Sequence, residues 1–174
     1  MAHASSDFAA MLRQWDQKSK PQIVEIYQAF KDTDDFLADL LDFCGIADLQ
    51  GGATWLIKHH CEQTDLVFSP AEQCRFYETF EQLASWDAQL HALQTMHHVP
   101  IPKASGPALK TFLFTGIAQQ NKLVRAWSYY GLALLARRFP EDKPEVLAVL
   151  DEAALQNPSG AIAVRLRKAR ALLP

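Results

Sequence analysis

Cysteine is scarce. Cys44, Cys61 and Cys74 are the only three in 174 residues, an odd number without paired spacing. That excludes a disulfide scaffold and points to free, buried thiols in a reducing, cytoplasmic compartment. Glycine is scarce too, at seven residues. Gly51-Gly52-Ala53-Thr54 has neither the glycine spacing nor the lysine of a phosphate loop, and reads as a place where two helices meet closely. No GxSxG, HExxH or CxxC occurs, so hydrolase, zincin and zinc-ribbon signatures are missing. Strand-like alternation is nearly absent, with Leu66-Val67-Phe68 too short to build a sheet. No run approaches the ~18 apolar residues of a membrane span. Residues 1–20 lack the basic and apolar regions of a secretory leader. No membrane, cofactor or metal is implied.

What remains is an ordinary globular composition, 49% apolar and 21% charged, in a length that suits a single domain, residues 1–174. The net charge of −3 hides an asymmetry. Residues 1–100 carry six cations and fifteen anions, net −9; residues 101–174 carry eleven and five, net +6. A basic second half can attract phosphates or an acidic peptide, or simply be a solvated surface.

Apolar spacing and helix punctuation give helix after helix. A weak helix is expected around Phe8–Gln17, and Pro21 opens another with Ile23, Ile26, Tyr27 and Phe30. Thr33 or Asp34 can cap the next, whose stripe is Phe36, Leu37, Leu40, Leu41 and Cys44. Ser69-Pro70-Ala71-Glu72 is a capping box. Ser85 can cap the helix of Trp86, and Asn121 the long helix 122–139. Pro107 and Pro144 open helices, the latter with Leu147, Leu150 and Ala154 as its stripe. Asn157-Pro158-Ser159-Gly160 is a turn before the last helix.

Short connections make antiparallel pairs: 33–44 with 51–62, 69–83 with 86–97, 107–118 with 121–139, and 144–156 with 160–173. Residues 1–32 form a less regular helical cap. The second helices share a local pattern starting at Ala53, Ala84, Arg125 and Arg165, spaced by 31, 41 and 40 residues. Helical-hairpin repeats have periods of about 34–47 residues. Asn121-Lys122-Leu123-Val124-Arg125-Ala126, continuing to Gly131-Leu132-Ala133, resembles the second helix of a HEAT repeat. In that family an acidic or amide residue lies in the turn and a Val-Arg pair opens the second helix. Val164-Arg165 matches again, whereas the two earlier units have alanine in place of the arginine. The resemblance implies an all-α, right-handed α-α superhelix, a short solenoid of about four hairpins over 33–174. It also implies that the matching arginines tie neighbouring units through the turn residue, Asn121. Stacking agrees physically, because each hairpin has an apolar stripe that the next one buries.

Trp55, Trp86 and Trp127 fall at equivalent positions. Such a row is either core or an aromatic strip on the concave side, and helical spacing favours core. His59 and His60 point about 100° apart on a helix and cannot both grip one ion; one packs inside and the other is a solvated or hydrogen-bonded surface group. The leading expectation is a non-enzymatic interaction module for a protein or peptide. Its candidate contacts are Lys58, Trp86, Gln89, Arg125, Trp127, Ser128, Arg165 and Lys168. The alternative is a nucleic-acid-binding protein using the basic C-terminal half, since some HEAT-like proteins are alkylpurine DNA glycosylases. Against it stands the negative overall charge.

Overall fold

A computed structural model describes residues 2–173, with side chains from residue 5 onward. Among the described residues the protein is all-helical, with ten α-helices, three short 3-10 turns and no strand. The chain divides into two compact units, residues 1–95 and 96–174.

The first unit holds α1 (Ala2–Gln14), α2 (Lys20–Phe30), α3 (Phe36–Phe43), α4 (Gln50–Gln63), α5 (Pro70–Glu78) and α6 (Trp86–Thr95). Helix α1 starts six residues before the expected Phe8 and stops short of Gln17. Phe8 is its anchor. Fully buried, it stacks on Phe30 and Phe36 with ring centroids 4.4 and 5.7 Å away. Burying one such side chain contributes about 1.5–3 kcal/mol, and stacked aromatic pairs add about 0.5–1.5 kcal/mol.

Helix α3 is not capped by Thr33 or Asp34. Asp35 precedes it without a side-chain cap, and the Thr33 hydroxyl donates to the Phe30 carbonyl of the preceding turn. The capping box of α5 forms as expected: Ser69 Oγ accepts from Glu72 N, and Glu72 Oε2 accepts from Ser69 N at 2.7 Å.

Helix α4 is central. It packs on α3 and α6, and also meets α2. Two glycines in its first turn permit this. A Cβ on Gly52 would lie 2.5 Å from Leu12 Cδ1, and one on Gly51 would lie 2.8 Å from Asp87 Oδ2. Lacking side chains, they admit α1 on one side and α6 on the other.

The second unit holds α7 (Gly106–Ile117), α8 (Lys122–Arg138), α9 (Lys143–Leu155) and α10 (Gly160–Ala171). Asn121 Oδ1 accepts from Leu123 N and Val124 N, so the expected cap of α8 is present. Helix α8 is the hub, packing on α7, α9 and α10. Its buried face includes Val124, Ser128, Gly131 and Leu135. Gly131 makes room for Leu113 and Met96. Helix α9 buries Val146, Leu150 and Ala153, with Leu147 half-buried and Ala154 exposed. The expected stripe is thus turned by one residue, and Val146 is its first member.

In the first unit α4 packs on α6, and in the second α8 packs on α10; the expected pairing of 69–83 with 86–97 does not appear as a packed helix pair, since α5 leans on α3. None of the helices is long and apolar enough to cross a membrane among the described residues.

Candidate functional site

The first unit holds a cleft of about 670 Å³. Its walls come from three places: the α1–α2 turn, the exposed edge of α4 and the first turns of α6. The turn is locked from within. Asp16 Oδ1 accepts from Lys18 N and Ser19 N at 2.9 and 2.7 Å, and Trp15 Nε1 donates to the Ser19 carbonyl at 2.8 Å. Those backbone donors hold the Asp16 carboxyl below its usual range. Gln17 sits at φ 60°, in the left-handed region that non-glycine residues rarely adopt.

The opposite wall is set by one buried amide. Gln50 is 2% exposed, and its Oε1 accepts from both Ala84 N and Ser85 N, at 2.7 and 3.0 Å. This fixes the turn that launches α6. Ser85, expected to cap that helix, does not; its Oγ is buried with no hydrogen-bond partner. The helix begins instead at Trp86, which is 53% exposed and lines the cleft.

Between these walls, Trp55 and His59 stack one turn apart on α4, with centroids 4.7 Å apart and planes 25° apart. Tyr27 meets His59 edge-on. Lys58 is tied to Glu62 at 2.7 Å. His91 faces Thr54, with Nδ1 to Oγ1 at 3.4 Å. Burial pushes the His91 imidazole down to about 4, overcoming the opposing pull of Asp87. Burial also lowers His59, and it lowers His60 with help from His59. At neutral pH the cleft therefore presents neutral imidazoles and indoles among scattered charges of both signs. His60 is hydrogen-bonded through Nδ1 to the Tyr27 hydroxyl at 2.9 Å. Both adjacent histidines are thus half-buried ring contacts, and neither is a freely solvated group. Among the described residues no three His, Cys, Asp or Glu side chains converge as a metal site. The three cysteines are free, Cys44 and Cys61 buried and Cys74 half-buried.

Of the eight candidate contacts, Lys58 and Trp86 come together in this cleft. Gln89 is used structurally, its Nε2 donating to the Leu83 carbonyl at 2.8 Å. In the second unit, Arg165 lies over Trp127 with Cζ 3.6 Å from the ring centroid. The arginine therefore ties successive hairpins through an indole and not through Asn121, whose side chain is occupied by the helix cap. Arg125 is half-buried, with its Nε enclosed and unpartnered. Ser128 is fully buried against Gly116, facing α7 and not a groove. Lys168 is exposed on α10.

The tryptophan row is not core. Trp86 is more than half exposed, and Trp55 and Trp127 are half-buried. Helical spacing alone misjudged them because α4 meets its neighbours through its glycines, Gly52 on the α1 side and Gly51 on the α6 side. The indoles are left at the rim. Sequence reasoning also passed over Trp15 and Gln50. The isolated Trp15, in a turn after a weak helix, carried no periodic signal. Compared with family models, with curated proteins and with solved structures, the chain matches none.

Proposed function

We propose that this chain is an interaction module that binds a peptide segment of a protein partner in the cleft of its first unit. The carrying observation is the convergence of Trp15, Trp55 and Trp86 on one recess, with Trp86 half in solvent. Trp15 is buried, while Trp55 and Trp86 offer accessible indole surface, and accessible indoles in a preformed concavity are the usual energetic anchors of protein recognition. Their surroundings fit a peptide. Neutral imidazoles, three lysines and three carboxylates offer donors and acceptors of both signs, suited to backbone amides and mixed side chains. The turn at Asp16–Ser19 and the Gln50 brace hold the walls in place, which lowers the ordering cost of binding.

The finer reading of the fold, HEAT-like hairpins in right-handed superhelical stacking, is proposed for each unit by itself. It is supported by the packing of second helix on second helix and by the Arg165–Trp127 contact between successive hairpins. A cytoplasmic setting goes with it, supported by three free thiols. The nucleic-acid alternative is less well supported: one face of Trp127, where a base would stack in the basic half, is covered by Arg165.

Panning a random peptide library on the intact chain and on Trp86→Ala tests the reading. Enrichment of a shared motif on the former, lost on the latter, is expected. No enrichment, or the same motif enriched on both, would overturn it.

A further inference from the structure

The second unit holds a separate recess of about 320 Å³, between residues 96–101 and the last turn of α8. Met96, Val99, Ile101 and Leu134 supply its apolar lining, and the polar groups around them are His97, His98, Arg137 and Arg138. Among the described residues lining it, none is Asp or Glu.

The two arginines are differently placed. Arg138 is held: its Nε donates to the Ile101 carbonyl at 2.9 Å and its Cζ lies 5.5 Å from the Phe139 ring centroid. Neither contact uses the Nη atoms. Arg137 is exposed and enters no ion pair among the described residues. The imidazoles of His97 and His98 lie against each other, centroids 3.9 Å apart, at the edge of the same recess. The C-terminal end of α8 offsets part of the positive charge, but a helix end supplies only about half an elementary charge against two guanidiniums. A concave surface with one sign of charge concentrates the field that draws a counter-ion.

We propose that this recess binds a phosphate monoester. Guanidinium forks match the oxygens of a phosphate bidentately, and the apolar lining takes the carbon group of the ester. A bare cluster of cations on a flat surface would not select the ester over the free anion; the adjoining apolar lining does. This site is independent of the peptide cleft, and neither proposal fails with the other.

The test follows the His97 and His98 ring signals by NMR, at constant ionic strength, while inorganic phosphate, phenyl phosphate or benzoate is added to the full chain. Phenyl phosphate should shift them and leave those of His59 and His91 unmoved. It should bind more tightly than inorganic phosphate and than benzoate. Arg137→Gln, at an exposed position that leaves the helix intact, should weaken phenyl phosphate about tenfold, as expected for one charge-assisted contact. A phosphotyrosine peptide that binds like phenyl phosphate assigns the source to a phosphorylated protein, and its failure assigns the source to a free monoester. The proposal is overturned if phenyl phosphate produces no shift, if benzoate binds equally well, or if Arg137→Gln binds like the parent.

Discussion

Lowering the pH should loosen the first unit through His91. Its imidazole is pushed from 6.5 to about 4 by burial behind the α4–α6 contact. A histidine with a depressed folded-state value takes up its proton more readily when unfolded. Between pH 6.5 and 4 the unfolded state then binds more protons, so stability falls as pH falls through that window. Above it, the group costs nothing. The full shift corresponds to about 3 kcal/mol, an upper figure because the unit can relax around the charged ring. With a urea slope of about 1.5 kcal/mol per molar, the midpoint should drop by about 2 M. The assay is urea unfolding at pH 7, 6, 5 and 4, followed by tryptophan fluorescence in a Trp127→Phe background. All emission then reports the first unit, and Arg165 keeps a ring beneath it. His91→Gln keeps a hydrogen-bonding group but removes the titration. The parent should lose about 3 kcal/mol more than His91→Gln between pH 7 and 4. Parallel pH profiles would refute the reasoning, since His59, His60 and the carboxylates titrate in both.

Glycine substitutions should split by packing. Gly52→Ala drives a methyl to 2.5 Å from the Leu12 side chain, and should destabilise by about 1–3 kcal/mol in denaturant melts. Gly160→Ala meets nothing within 4 Å and should stabilise by about 0.4–1 kcal/mol. Ser69→Ala removes the capping box of α5 and should cost about 1 kcal/mol by the same measurement. Arg165→Ala uncovers Trp127 and should shift its emission to the red, with about 0.5–1 kcal/mol of lost stability.

Much of the fold was legible because its signals are local. The Ser69 box, the Asn121 cap and the prolines opening α2, α7 and α9 act over three or four residues, and the structure forms each of them. The paired glycines of α4 also reveal a close approach without further context. Signals that depend on distant partners were not legible. Asp35 starts α3 without a cap because the chain has just left the Phe30–Thr33 turn. The launch of α6 depends on Gln50, thirty-four residues before Ala84. A buried glutamine at a helix start has no periodic signature. The candidate site suffered most. Lys58 and Trp86 line the cleft, and Trp15, Trp55 and His91 join them there only through tertiary packing. Which side of a helix faces solvent is decided by its neighbours, and α4 meets its neighbours through its glycines.

The indole N–H signals give the most direct test of the peptide cleft. In an ¹⁵N-labelled chain the four tryptophans give four resonances, and the hydrogen bond of Trp15 to Ser19 marks one of them as protected. On adding a peptide selected from the library, the Trp55 and Trp86 signals should move together while that of Trp127 stays fixed. Movement of Trp127 alone, or binding that leaves both cleft indoles unchanged, would contradict the account.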